Sequence, residues 1–96
     1  MLLKTIMFDA NNHNWENSRE YNIAFLMTVE RYLNDITRHR GYVYLNEICE
    51  RLGVQWNPND ENPCIKNDGV NRLAFIQFEI LDKPNNSFVL HIHCYD

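Results

Sequence analysis

Hydrophobic and polar positions alternate most strictly late in the chain. From Arg72 to Leu81, Ala74, Ile76, Phe78 and Ile80 interleave with Leu73, Phe75, Gln77 and Glu79. From Ser87 to Tyr95, Phe88, Leu90, Ile92 and Cys94 interleave with Val89, His91, His93 and Tyr95. A repeat of two residues is the strand period. Between the runs, Asp82-Lys83-Pro84-Asn85-Asn86 is a five-residue turn former, because Pro84 fixes its own φ and Asn tolerates the left-handed region. The two runs therefore predict a β-hairpin. Pairing Ile80 with Phe88 sets Phe78 against Leu90, Ile76 against Ile92 and Ala74 against Cys94, so that one face is wholly apolar. The other face then carries Glu79 beside Val89, Gln77 beside His91, Phe75 beside His93 and Leu73 beside Tyr95. A slip of one residue would exchange the two faces.

Upstream the period lengthens. From about Glu16 to about His39, Phe25, Val29, Tyr32, Leu33 and Ile36 recur three and four residues apart, with Tyr21 and Asn22 one turn earlier. Ile23, Leu26 and Met27 widen this stripe, and the whole reads as an amphipathic helix. A helix of roughly 22 residues is about 33 Å long, comparable with the domain itself, so it is expected to lie across the sheet. Asn14, Asn17 and Ser18 are candidate N-caps, Arg38, His39 and Arg40 set cations at the negative end of the dipole, and Gly41 is the stop. Tyr42 to Leu45 is a short β-prone run. Asn46 is expected to cap a second helix, Glu47 to Leu52, with Leu45, Ile48, Cys49 and Leu52 on its buried side and Gly53 at its end. Breakers crowd the stretch to Asn71, which reads as a long loop with Gln55-Trp56 and Cys64-Ile65 as short strand or anchoring pieces. At the start, Leu2 to Phe8 reads as an edge strand or a docked arm, and Asp9 to Asn17 as a polar loop.

These elements make one α+β domain over 1–96, with 1–17 as arm or edge strand and loop. One long and one short helix pack on the apolar face of a small antiparallel sheet built on the C-terminal hairpin. A chain of 96 residues buries a real core and leaves little for a second module. Nine Lys and Arg against 13 Asp and Glu, a formal charge of −4, argue against a nucleic-acid partner. Cys49, Cys64 and Cys94 are an odd number at wide spacings that fit neither a disulfide framework nor a zinc motif. That composition suits a reduced, cytoplasmic protein. The apolar opening is too short to span a membrane and lacks the basic flank of a secretory signal, so no membrane association is expected.

The helix segment Glu30-Arg31-Tyr32-Leu33-Asn34, followed by RGYVYLNEICERLG from Arg40 to Gly53, resembles a group of small uncharacterised proteins encoded by phages and integrative elements, mainly of Gram-positive bacteria. In that group a helix leads into "RG", an aromatic, "LNE" or "LND", and "LG"; Phe88 to Asp96 resembles its closing strand. The likeness covers about two thirds of the chain and leaves Met1 to Ser18 outside. The loop from Asn57 to Asn71 lacks the group's Gly-Trp element, and His91 and His93 stand where the group has Asp and Asn. The resemblance implies an α+β domain and a mobile-element origin, and no activity.

Candidate chemistry is sparse. His91 and His93 point to the same side of a strand and are two potential metal ligands, with Glu79 or His39 as conceivable thirds; without a third ligand they are surface histidines, and no metal or other cofactor is expected. Cys49 beside a histidine would make a nucleophile, but Cys49 and Cys94 fall on apolar faces, where Cys is an inert hydrophobe; Cys64 lies in the loop. Arg38-His39-Arg40 suits either a phosphate or the helix dipole. The mixed face with Phe75, Gln77, His91, His93 and Tyr95 is either a wet binding surface or a surface roofed by the loop or the arm. The reading adopted is a non-enzymatic protein-binding module of mobile-element origin that meets a host or phage protein at those five residues. An inhibitor of a host defence complex, such as a CRISPR nuclease, is one form of it. The alternatives are a metal-dependent enzyme built on His91 and His93, and a protein that self-associates through the hairpin edge.

Overall fold

In chain order the protein forms β1 (Leu2–Phe8), α1 (Arg19–Arg40), β2 (Tyr42–Tyr44), α2 (Leu45–Leu52), β3 (Cys64–Lys66), β4 (Phe75–Lys83) and β5 (Ser87–Tyr95). The computed structural model describes residues 1–70 and 73–95. Asn71, where the long loop was expected to end, and Arg72, where the first alternating run opens, lie outside the described residues. The architecture is α+β. A three-stranded antiparallel sheet runs β1-β5-β4, and β2 pairs with β3 in a separate two-stranded ribbon.

The most strictly alternating segment, β5, takes the centre of the larger sheet, where both of its edges are bonded. Phe88, Leu90 and Ile92 on its inner side are fully buried, and Ile76 and Phe78 of β4 and Ile6 and Phe8 of β1 are buried with them. Strand β1 settles the alternative left open for the chain start. It is an edge strand, paired Lys4 to Ile92, Ile6 to Leu90 and Phe8 to Phe88, with a bulge between Leu2 and Lys4.

The hairpin keeps the expected faces but not the expected register. Ile80 pairs with Leu90 rather than Phe88, Phe78 with Ile92 and Ile76 with Cys94, a shift of two residues that conserves the pleat. Its cause is the turn. Asn85 and Asn86 both adopt left-handed φ, 63° and 59°, so the chain reverses within Pro84-Asn85-Asn86 and the ladder continues to Lys83 and Ser87. Asp82 is thereby drawn into β4, where Arg19 grips its carboxylate at 2.9 and 3.1 Å.

Helix α1 starts where the Ser18 hydroxyl accepts the Tyr21 N–H at 3.2 Å and stops at Gly41, whose φ of 92° is left-handed. Its buried line is Asn22, Leu26, Val29, Leu33 and Thr37, flanked by half-buried Phe25 and Ile36. Tyr21, Met27 and Tyr32, expected in the stripe, are exposed. Two polar residues occupy the ends of the line instead, because each is satisfied where it lies: Thr37 donates to the Leu33 carbonyl at 2.6 Å, and Asn22 holds three bonds. The Asn22 amide accepts from Glu16 N–H and donates to the Glu16 and Asn86 carbonyls at 2.8 to 3.0 Å. With Trp15 Nε1 also donating to Asn86 O at 2.9 Å, this buried amide ties the first loop to the hairpin turn.

One side of α1 also finishes the sheet. Asn34 presents its amide to β4 as another strand would: Oδ1 accepts the Ile76 N–H at 2.8 Å and Nδ2 donates to the Ile76 carbonyl at 2.9 Å. Glu30 accepts the Phe78 N–H at 2.7 Å. Helix α2 begins at Leu45, two residues earlier than the Asn46 cap predicts, because the Glu47 carboxylate reaches back to the Tyr44 N–H at 2.9 Å. Asn46 N–H, now inside the first turn, donates to Asn62 Oδ1. Leu45, Ile48, Cys49 and Leu52 are buried as their spacing predicts.

Candidate functional site

On the side of the sheet away from the helices, the pleat turns outward Phe75, Gln77, Glu79 and Leu81 from β4 and Val89, His91, His93 and Tyr95 from β5. Strand β1 adds Leu2, Thr5 and Met7. The five residues expected to meet a partner thus share one face. It is open rather than roofed: Phe75 is 47% and Tyr95 39% exposed, and Leu2, Met7 and Leu81 are exposed beside them. The two-residue register shift changes who faces whom. Phe75 lies opposite Tyr95 rather than His93, Gln77 opposite His93 rather than His91, and Glu79 opposite His91 rather than Val89. Leu73, expected opposite Tyr95, instead makes an isolated bridge with Asn67.

That register brings four rings into line. Phe75 stacks on Tyr95 with centroids 5.5 Å apart, Tyr95 on His93 at 5.7 Å, and His93 neighbours His91 at 6.2 Å. Offset stacking at these separations fixes the side chains against one another before any partner arrives. Polar contacts fix the far end: Thr5 Oγ1 and His91 Nδ1 are 2.9 Å apart, and Glu79 Oε1 lies 3.4 Å from His93 Nε2. The ladder is bounded on one side by Phe75 and Tyr95 and on the other by the apolar row Leu81, Val89 and Met7. Chemically it is a preorganised amphipathic surface, apolar at both ends with hydrogen-bonding groups between.

The conceivable third metal ligands part company. Glu79 reaches His93, whereas His39 lies at the end of α1, its Nδ1 donating to the Asp35 carbonyl at 2.8 Å. Among the described residues no three His, Cys, Asp or Glu side chains converge on one point. Cys49 is fully buried, and burial pushes its thiol up, away from the thiolate a nucleophile needs. No disulfide joins the cysteines among the described residues. The cations of the Arg38-His39-Arg40 cluster are engaged within the chain: Arg38 pairs with Asp35 at 2.6 Å, and Arg40 with both Glu47 oxygens at 2.7 and 2.8 Å.

A second surface was not foreseen. A groove of about 530 Å³ runs between the C-terminal half of α1, α2 and the first loop, floored by Leu33 and Ile36. Its walls are already paired: Arg40 with Glu47, and the Arg51 guanidinium over the Tyr32 ring at 4.0 Å. Burial alone would raise the Glu47 carboxyl; the Tyr44 N–H and the Arg40 guanidinium more than offset it and hold the group below the usual carboxylate range. The four histidines of the chain divide between the two surfaces, His13 and His39 lining the groove, His91 and His93 on the open face. No local signal marks the groove, since Tyr32 falls on the apolar stripe by its spacing and proves exposed only in the fold. The contribution of Thr5 and Met7 was hidden for another reason, since nothing local in β1 names β5 as its partner.

Among the described residues no helix is long and apolar enough to cross a membrane. The chain matches no family model, no curated protein and no solved structure.

Proposed function

We propose that the protein is a non-enzymatic binding module that grips another protein with the open face of its three-stranded sheet. The observation that carries this reading is the ladder Phe75-Tyr95-His93-His91 on the outer face, its aromatic end exposed and its histidines half-buried, in which aromatic area and hydrogen-bonding groups are held in place. Aromatic side chains dominate interface energetics because they bury much area for little rotamer entropy. The stacking stabilises the monomer only modestly, whereas an exposed apolar row costs it solubility, and a partner that covers the row is the physical reason we give for it. If Arg40 to Gly53 shares the origin of the phage and integrative-element proteins it resembles, the partner is a protein of the bacterial cell that hosts the element. Blocking a host defence or regulatory complex is the role we assign to this small, acidic domain.

The test uses the full chain as bait in lysate of a Gram-positive host, beside Phe75→Ala and Tyr95→Ala baits, at a temperature where circular dichroism shows all three folded. A protein retained by the wild type and lost from both variants supports the reading. Retention that is equal on all three baits, or absent on all, contradicts it.

A further inference from the structure

The two edges of the three-stranded sheet are finished differently. Along β4, Asn34 satisfies both backbone groups of Ile76 and Glu30 takes the Phe78 N–H, so the first half of the hairpin edge, the route to self-association the sequence offered, is covered by α1. Along β1 no such cover exists among the described residues. Met1 exchanges both backbone bonds with Cys94, each 2.8 Å, which shows that the even-numbered residues of β5 bond towards β1. Bonded and non-bonded pairs alternate in an antiparallel ladder. Lys4, Ile6 and Phe8 therefore turn their N–H and C=O to β5, and Thr5 and Met7 turn theirs outward, where no described group bonds to them.

The usual guards of an edge are displaced here. The bulge lies at Leu2 and Lys4, before the regular stretch, and the Lys4 ammonium is folded inward over Trp56 at 6.0 Å and towards Asp60 at 3.9 Å. What remains is a short regular edge with two outward residues, Thr5 and Met7, and a strand with two such residues flanking one inward residue is its own complement. We infer that β1 pairs with β1 of a second copy of this chain, antiparallel, about a two-fold axis at Ile6. That register sets Thr5 against Met7 of the second copy and Met7 against its Thr5, makes four backbone hydrogen bonds, and places Ile6 beside Ile6 on the inner layer. A register centred on Thr5 would instead oppose Met7 to the bulged Leu3.

The second copy also supplies what the open face lacks by itself. Strands spaced roughly 4.8 Å apart and rising roughly 3.4 Å per residue, nine residues long in β4 and β5 and seven in β1, present a face of about 410 Å² in plan. Stable complexes take about 800 Å² from each partner. A six-stranded sheet continuous across the two-fold doubles the face and brings the two ring ladders onto one surface. The pairing itself rests on the edge geometry; only this gain in area rests on the partner reading above.

The experiment is light scattering on the eluting full-length protein over a range of loading concentrations, for wild type, Met7→Pro and Phe75→Ala. Proline removes the outward Met7 N–H, which the monomer does not use, and is tolerated at such a position. The expected result is a wild-type mass that rises with concentration towards twice the 11.5 kDa of the chain, with Phe75→Ala behaving likewise and Met7→Pro remaining at 11.5 kDa with an unchanged thermal midpoint. A wild type that stays at 11.5 kDa throughout, or a Met7→Pro variant that doubles as the wild type does, overturns the inference. Should Met7→Pro not fold, amide hydrogen exchange of the wild type decides. Slowing of Thr5 and Met7 with concentration supports the pairing, and exchange indifferent to concentration overturns it. A monomer that still captures a partner through Phe75 removes this inference alone, whereas a dimer that captures none removes the binding reading alone.

Discussion

Asn22 is the most informative single perturbation of the scaffold. Its side chain is fully buried in a helix, where Asn has neither propensity nor hydrophobicity in its favour, and it makes three hydrogen bonds that join Glu16, α1 and the hairpin turn. Each such bond contributes about 1 kcal/mol net, and a buried N–H left without a partner costs about 1 to 3 kcal/mol. The Asn86 carbonyl keeps Trp15 Nε1, the Glu16 carbonyl keeps the Ser18 N–H, and the Glu16 N–H belongs to an exposed residue within reach of water, so the lost bonds and not a buried orphan set the cost. Asn22→Ala is therefore expected to cost about 3 to 4 kcal/mol, including a small cavity. Asn22→Leu restores the volume and gains about 0.5 kcal/mol of helix propensity, yet supplies no bond, and is expected to cost about 2 to 3 kcal/mol. For a domain of this size each kcal/mol lowers the thermal midpoint by about 4 to 8 °C. Urea titration and thermal melting of both variants provide the measurement. An Asn22→Leu protein as stable as the wild type would show that the amide is tolerated rather than used, and the reasoning about this node would be wrong.

Other consequences are as direct. Ile76, 1% exposed, and Phe75, 47% exposed, are neighbours on opposite faces. Ile76→Ala is expected to cost about 2 to 5 kcal/mol through lost burial and a cavity, and Phe75→Ala about 1 to 2 kcal/mol for a half-buried ring and its stacking on Tyr95; denaturant midpoints compare the two. Loss of the Phe75 ring should weaken partner affinity by about 1 to 3 kcal/mol in a calorimetric titration. The depressed Glu47 carboxyl stabilises the fold above the unfolded-state value near ~4.3, and that contribution disappears as pH falls through the lower folded value. In Glu47→Gln the pH dependence of the thermal midpoint is therefore expected to be shallower below about pH 4.3, with a loss at neutral pH of about 0.5 to 1 kcal/mol because solvent screens a part-exposed pair.

Much of the fold was legible where a residue's neighbours in sequence are also its neighbours in space. The period of two along β5, the Ser18 cap, the Gly41 and Gly53 stops and the buried side of α2 are all local, and all are found where the pattern sets them. The assignment of Phe75, Gln77, His91, His93 and Tyr95 to one face also survived, because a two-residue slip leaves the pleat unchanged. What failed depended on partners far along the chain. The tighter turn needed two Asn residues in the left-handed region, one of them held by Trp15 and Asn22. The abundant asparagines carried no chemical message in sequence, yet Asn22, Asn34 and Asn86 join loop, helix and strand edge, since an amide that both donates and accepts can replace a missing piece of backbone. Of the open face, β1's share was invisible until β5 was seen at the centre of the sheet.

The most direct test of a partner-binding sheet face uses the four histidines as paired reporters, two on the face and two in the groove. Imidazole NMR resonances of the full-length protein would be followed while the captured partner is titrated in. The account predicts that His91 and His93 shift and broaden while His13 and His39 remain where they were. Movement of His13 and His39 with His91 and His93 unmoved would contradict it and transfer the interface to the groove between the helices.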